Sequence, residues 1–581
     1  MDENANGGEL MAQVFVERGV KYIFTLCGGH ISPILVASKA KGIRVVDVRD
    51  EASAVFAADA VARLSGIPGV AVVTAGPGLT NTITAVKNAQ LAQFPLLVIG
   101  GATATILKDR GSLQDIDQMA LMRPHVKWAA RAGRVGELAS LTEEAFFRAL
   151  EGVPGPVFLE VPVDLLYPRP LVYQWYGVSQ SRGSGWRDRL FHWYLKRHLK
   201  RIFGGRARVQ DLDFTSLLSS FSPTTSELHR ALAFLGEARR PVMLIGSQAM
   251  LFPQRVEELQ KAVLQLGIPT YLSGMARGLL GRKSSLQFRH KRRQALKEAD
   301  LVILAGVPCD FRLDYGRHIS SRARLISINR SREELRKNRR PELGILADPG
   351  LFLMELAKMG FSPLLGWEEW IGELRGREEK REEEIQQQAE QKTEFVNPLA
   401  FFQVLERILP EESVIVADGG DFVATASYIL RPRGPLSWLD PGVFGTLGVG
   451  GGFALGAKLA RPDCQVWLLY GDGSSAYSLA ELDTAFRHRI PFIAVVGNDA
   501  CWSQIAREQV EIFQDPVSTK LSYSDYHKVA QGYGAEGLLL EDPGKVEEVL
   551  KSAQELVHRG RPVLVNVKLG KTDFRKGSIS M

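Results

Sequence analysis

Short apolar, β-branched runs recur along this chain, each closed by glycine, proline or a polar turn and separated by segments of helical periodicity. Few folds tolerate that texture. The first set is Tyr22–Leu26, Arg44–Val48, Val70–Thr74, Leu96–Ile99 and Val157–Val161. The second is Val242–Ile245, Leu301–Ala305 and Leu325–Ile328, and the third is Val414–Ala417, Val466–Tyr470, Phe492–Val496 and Val563–Val567. Strands this apolar are buried on both faces, which requires parallel sheets covered by helices. The expected architecture is α/β, with three doubly wound parallel-sheet domains in series. The expected segments are 1–170, a linker over 171–225, a central Rossmann-like domain over 226–366, a charged linker over 367–396 and a third domain over 397–581. The second linker, rich in Glu, Arg and Gln, predicts a solvated helix bridging the last two domains.

Four widely spaced cysteines, Cys27, Cys309, Cys464 and Cys501, form no CxxC and argue against a disulfide scaffold or a zinc module. The net charge of +7 would suggest a nucleic-acid binder, but the basicity is local. Between Arg182 and Arg208 nine Lys/Arg stand against one acid, Asp188, so that window holds +8 and the remainder of the chain −1. No nucleic-acid partner is expected. Within the window, Trp186, Leu190, Phe191, Tyr194, Leu195, Leu199, Ile202 and Phe203 recur at helical spacing, with Arg187, Lys196, Arg197, Lys200 and Arg201 largely off that stripe. This predicts an amphipathic helix over 186–203 that docks on an anionic membrane surface, or else on its own subunit or an oligomer partner. A polar, acidic start and the lack of a long apolar run set the expectation of an intracellular protein. It would be cytoplasmic or peripherally attached to a membrane such as the endoplasmic reticulum face, and not secreted.

The strongest chemical signal lies in the third set of runs. Tyr470-Gly471-Asp472-Gly473-Ser474 closes one apolar strand and Asn498-Asp499 closes the next, with 24 residues between Gly473 and Asn498. Adjacent parallel strands would bring both polar ends to the carboxyl edge of the sheet, where α/β proteins bind ligands. Asp472 offers a carboxylate oxygen and Asn498 an amide oxygen, the hard donors that Mg²⁺ shares with phosphate oxygens and water. Gly473 permits close backbone approach, and N–H groups at the following helix start suit an anion. This pattern matches a diphosphate–metal motif.

With these residues in view, the chain resembles the thiamine-diphosphate-dependent acetolactate synthase and 2-hydroxyacyl-CoA lyase superfamily over almost its full length. The likeness is carried by FTLCGGHISPILVA (24–37), VTAGPGLTNTITAVKNAQ (73–90), GMARGLLGR (274–282), CDFRLDYGR (309–317), WLDPGVFGTLGVGGGFALGAKL (438–459), GNDACWSQIAREQV (497–510) and KTDFRKGSI (571–579). The resemblance implies a first domain that binds the cofactor's pyrimidine and a third that binds its diphosphate and Mg²⁺. It places the catalytic acid at Glu51, not the neighbouring Asp50. A carboxylic group on the pyrimidine N1′ favours the imino tautomer, whose 4′-nitrogen takes the thiazolium C2 proton. It further assigns the loop Ala75–Asn81, with Pro77 and Asn81, to the pyrimidine, the Gly445 carbonyl to the 4′-amino group, and Leu447 to propping the two rings into a V. Gly420, Gly473 and Ser474 fall at the diphosphate, and the metal ligands are Asp472, Asn498 and the backbone carbonyl of Ala500. His30, Gln114 and Trp502 are candidates near the reacting carbon. Asp499 stands where the family has a second Asn, and Asp421 stands where synthases carry polar residues against the diphosphate. Asp421 is expected to turn away, cap a helix or bond a hydroxyl.

In relatives the central domain binds FAD, ADP or the nucleotide end of CoA, or nothing. Gly246-Ser247-Gln248 and Gly306-Val307-Pro308 follow strands as nucleotide loops do, without forming GxGxxG. Arg277 is a candidate phosphate partner. Three functions are open. One is a lyase of fatty acid α-oxidation that cleaves an acyl-CoA substrate, 2-hydroxyacyl-CoA, to formyl-CoA and a shorter aldehyde. The others are a carboligase acting on 2-oxo acids and a non-catalytic scaffold, the last disfavoured by intact Glu51, Asp472 and Asn498. The superfamily implies a homodimer or homotetramer with sites shared between copies.

Overall fold

The computed structural model describes residues 6–178, 185–204, 212–214, 221–361 and 366–577. Two compact units result, one of Met1–Ala62 with Ile67–Thr215 and one of Arg63–Gly66 with Ser216–Met581. Every apolar run expected to be a strand is one. The first unit holds a six-stranded sheet ordered Arg44–Asp47, Tyr22–Thr25, Gly69–Val73, Leu96–Ala102, Pro156–Pro162, Trp128–Arg131, with all neighbours parallel. The second unit holds two more six-stranded parallel sheets. One is ordered Leu343–Ile345, Arg324–Ile328, Leu301–Ala305, Pro241–Ile245, Thr270–Leu272, Gln287–Phe288. The other is ordered Trp438–Leu439, Ser413–Ala417, Gln465–Gly471, Ile493–Asn498, Val563–Lys568, Glu536–Leu540. Their central strands are buried along their whole length, as non-alternating sequence demands.

The strands that sequence does not announce lie toward the sheet margins: Trp128–Arg131, Thr270–Leu272, Gln287–Phe288, Leu343–Ile345, Trp438–Leu439 and Glu536–Leu540. Most are short or half-exposed, so no unbroken apolar run marks them.

Two expectations about linkers need correction. The helix Trp367–Ala389 does bridge the last two sheets, but it is not solvated all round. Trp370 and Leu374 join the core of the central domain, and Ile385 and Ala389 join that of the third. Trp367 and Trp370 donate their indole N–H groups to the Ala238 and Pro241 carbonyls at 2.8 and 3.1 Å. Its charges are paired as well, Arg377 with Glu298 and Arg381 with Glu384. The basic segment is the helix Trp186–Ile202, yet its apolar residues do not form one stripe. Leu195, Leu199 and Ile202 are buried in the core of the first unit, while Trp186, Leu190, Phe191, Trp193 and Tyr194 are exposed.

Trp370→Ala should remove a buried ring and its hydrogen bond at a cost of about 3–5 kcal/mol. Thermal unfolding should show a lowered midpoint for this variant, whereas a substitution at exposed Glu369 on the same helix should leave it unchanged.

Candidate functional site

In the first unit the sheet's carboxyl end opens into a cavity of about 590 Å³ lined by, among others, Cys27, His30, Glu51, Thr74, Pro77 and Gln114. Glu51 is the first residue of the helix Glu51–Ser65, where a carboxylate is favoured by the helix dipole. The residue is 6% exposed, and its carboxylate accepts a hydrogen bond from Asn81 Nδ2 at 3.0 Å. Gly78 lets the loop approach: a Cβ there would lie 2.7 Å from Thr74 Cγ2 and 3.5 Å from Glu51 Oε1. The loop is held from behind by Gln118, which accepts from the Gly76 N–H and donates to the Gly101 carbonyl and to Glu160. Glu160 is in turn paired with Arg131 at 3.0 Å. His30 Nδ1 lies 3.1 Å from Thr74 Oγ1, and burial holds its pKa below the ordinary histidine value, so the ring is neutral near pH 7. The structure thus brings Glu51, Pro77, His30 and Gln114 onto one cavity wall, with Asn81 bonded to Glu51.

In the second unit the strands Gln465–Gly471 and Ile493–Asn498 run side by side with Gly471 opposite Gly497. That register puts Asp472 and Asn498 at neighbouring strand ends, both essentially buried. Asp472 accepts from the Gly473 N–H at 2.8 Å and the Cys501 N–H at 3.2 Å. Asn498 spends both amide hydrogens on the Ser524 carbonyl and Asn566 Oδ1, which leaves its buried Oδ1 without a hydrogen-bond partner among the described residues. Such an orphaned acceptor is costly unless something positive meets it. Burial, reinforced by repulsion from Asp499, pushes the Asp472 carboxyl up to about 7. Burial pushes Asp499 up to about 6, opposed by the hydroxyl of Ser503. An unneutralised carboxylate beside a free amide oxygen is the donor set a hard divalent cation fits. The Ala500 carbonyl accepts from the Leu521 N–H at 2.8 Å and retains a second lone pair for a cation.

A cavity of about 250 Å³ adjoins them, lined by Gly420, Asp421, Gly445, Leu447, Asp472, Gly473, Ser474 and Trp502 among others. The Trp502 ring packs against Gly473, where a Cβ would lie 2.5 Å from it. Trp502 therefore walls the Asp472 cavity. Among the described residues the Asp421 carboxylate neither caps a helix nor bonds a hydroxyl; it pairs with Arg507 at 2.6 Å and Arg575 at 3.5 Å, which offsets its repulsion toward an anion. Asp418, not singled out by sequence, accepts from the Gly448 and Gly450 N–H groups at 3.1 and 2.8 Å and so shapes the Gly445–Leu447 turn. Asn566, a polar residue inside the apolar stretch of the strand Val563–Lys568, is the other missed partner, and its polarity there was the available signal.

Arg277 lines a third cavity, of about 550 Å³, with Arg289, Lys291, Arg292, Arg293, His318 and Arg381 on its wall beside Tyr271, Phe288 and Tyr428. Burial works against the charge of Arg277, Arg289 and Arg292. The carboxyl edge of the central sheet, by contrast, carries the protein's own side chains. Gln248 bonds Asn329 and the Arg330 N–H, Ser247 accepts from the Met275 N–H, and Arg330 pairs with fully buried Asp348.

Family models agree with this layout. The thiamine pyrophosphate enzyme N-terminal TPP binding domain matches residues 5–121, the central domain 228–356 and the C-terminal TPP binding domain 418–567. A 2-hydroxyacyl-CoA lyase 2 from Danio rerio is 51% identical, covering 99% of this chain and 93% of that protein. One from Homo sapiens is 49% identical, covering 99% and 92%. A probable acetolactate synthase from Mycobacterium bovis is 32% identical over 97% of this chain and 96% of its own length.

Burial raises the Asp418 carboxyl to about 7 despite its two backbone hydrogen bonds. A carboxyl whose folded pKa lies above its unfolded value binds more protons when folded, so its contribution to stability falls as pH rises from about 4 to about 7. Asp418→Asn should therefore gain melting temperature relative to wild type as pH is raised through that window. A difference that stays flat with pH would contradict the assignment.

Proposed function

The chain belongs to the thiamine pyrophosphate enzyme family, and on that premise we propose that this lyase, with Mg²⁺, cleaves 2-hydroxyacyl-CoA between C1 and C2 to formyl-CoA and an aldehyde one carbon shorter. The observation that carries the substrate class is the cavity lined by Arg277, Lys291, Arg292 and Arg293, with its aromatic residues Tyr271, Phe288 and Tyr428; Arg289 on the same wall is paired with Glu382. The nucleotide end of CoA offers what such a wall takes, several phosphates and a flat base. A small 2-oxo acid, with one carboxylate and no base, would leave most of that wall unmet. We place the nucleotide there in preference to the central sheet edge, where the Arg330–Asp348 pair and the Gln248–Asn329 bond use the available polar groups.

Bound thiamine diphosphate supplies a carbon nucleophile and an electron sink for the bond that breaks. Asp472, Asn498 and the Ala500 carbonyl hold Mg²⁺, and Asp421, neutralised by Arg507 and Arg575, leaves the diphosphate unopposed. Glu51 holds a proton at the pyrimidine N1′, kept in line by the Asn81 amide. As the substrate's 2-hydroxyl becomes an aldehyde carbonyl, its O–H proton needs an acceptor. Neutral His30 on the same cavity wall as Glu51 is suited to take it. Gln114 stands on that wall to orient the acyl group. Because one cofactor needs both Glu51 and Asp472, which lie on different compact units, we further propose a homodimer or homotetramer with sites completed between copies.

Glu51→Gln should keep the fold and cofactor retention while losing about 10²–10⁴-fold in turnover. Asp472→Ala should lose the Mg²⁺-dependent thermal stabilisation by thiamine diphosphate. Mixing these two inactive chains should restore partial activity, and its absence after verified subunit exchange would contradict shared sites. Arg292→Ala should raise KM for 2-hydroxyacyl-CoA about tenfold or more with little change in kcat, the signature of lost uniform binding. An unchanged KM would count against the cationic cavity as the CoA site.

A further inference from the structure

We propose that the N-terminal half of the helix Trp186–Ile202 is a docking face for an anionic lipid bilayer, and that it sets the mouth of the Glu51 cavity at that surface. The helix has two apolar arcs with different fates. Leu195, Leu199 and Ile202 anchor it to the core of the first unit, so its orientation is fixed. On the outward arc Trp186, Leu190, Phe191, Trp193 and Tyr194 are 71, 58, 62, 55 and 47% exposed. Two tryptophans two turns apart and a tyrosine, all left in water, match the chemistry of the bilayer interface, where an apolar ring body and a polar edge are both satisfied.

The charges point to the sign of that surface. Arg187, Arg189, Lys196, Arg197, Lys200 and Arg201 lie on this helix, and among the described residues none of them makes an ion pair. By contrast, Arg377 and Arg381 on the bridging helix Trp367–Ala389 are each paired with a glutamate. Arg197 sits over the exposed Trp193 ring at 5.4 Å, one turn along the helix, so cations and aromatic rings occupy the same outward strip. Anionic headgroups complement the first and acyl tails the second.

The docking face is also tied to the cavity. Trp175 lines the Glu51 cavity at the end of the helix Arg169–Trp175. The next residue, Tyr176, stacks on His198 at 6.0 Å, and His198 stacks on Tyr194 at 6.5 Å. His198 Nε2 is also 2.8 Å from Thr105 Oγ1, which together with Tyr176 bonds buried Asp164. The outward arc and the cavity wall are therefore parts of one packed body, through which an amphiphile in the bilayer would meet the opening. This inference does not depend on the substrate assignment, since it concerns where the first unit docks and not what it cleaves.

The test is flotation of the full-length protein with vesicles of phosphatidylcholine, with and without phosphatidylserine. Wild type should float with the anionic vesicles and be released as salt rises, since exposed cations are screened. Lys196/Arg197/Lys200/Arg201→Glu and Trp186/Phe191/Trp193→Ser should each lower the bound fraction more than tenfold. Both should retain the wild-type mass by light scattering and the cofactor-dependent thermal shift. Equal flotation of wild type and variants, or wild-type binding indifferent to salt and to phosphatidylserine, would overturn the proposal. So would a fall in assembly mass in either variant, which would assign the arc to a second copy of the chain. Should a variant not fold, the wild-type salt and lipid dependence, with a blue shift of tryptophan emission on anionic vesicles, decides alone.

Discussion

Asp472 and Asn498 meet because two neighbouring parallel strands are in register, Gly471 against Gly497, and both end in polar residues at the same edge. Most of the second unit's chemistry rests on that juxtaposition. Asn566 and the Ser524 carbonyl occupy both Asn498 amide hydrogens and so leave its oxygen free, while burial leaves Asp472 in need of a cation. An apolar pair at these two positions would pack without strain and hold nothing. The fold therefore keeps an electrostatic deficit that a metal and an anion together would relieve, the usual reason a binding site is less stable than the core around it.

The surrounding residues tune that deficit without sharing its ligands. Asp421 would repel a diphosphate if unpaired; Arg507 and Arg575 cancel it from the helix Ser503–Phe513 and from the C-terminal segment. Asp418 holds the Gly445–Leu447 turn by its two backbone bonds. In the first unit the equivalent support is the Arg131–Glu160–Gln118 chain behind the Ala75–Asn81 loop, which lets Glu51 and Asn81 meet at 3.0 Å.

Much of this was legible in the sequence. The three sheets follow from unbroken apolar runs, and the candidates Asp472 and Asn498 from polar residues at neighbouring strand ends, whereas Glu51 was singled out only by the family resemblance. What was not legible has identifiable causes. Marginal strands such as Trp128–Arg131 and Glu536–Leu540 are half-exposed, so hydrophobic patterning does not mark them. The neutralisers of Asp421 are distant in sequence, and no local pattern links positions 421, 507 and 575. Glu160 and Asn566 did leave a trace, as polar residues inside apolar stretches of strand. Periodicity detected the helix Trp186–Ile202 but merged its two apolar arcs into one stripe, because spacing cannot tell which arc the rest of the fold covers.

An acid-lined cavity, a candidate cation–diphosphate site and a cationic cavity together fit the proposed lyase acting on a CoA thioester. Product analysis tests that claim most directly. Wild-type protein supplied with thiamine diphosphate and Mg²⁺ should convert 2-hydroxyacyl-CoA to formyl-CoA and the aldehyde one carbon shorter, and should form little acetolactate from pyruvate. Efficient acetolactate formation with no cleavage of 2-hydroxyacyl-CoA would contradict it.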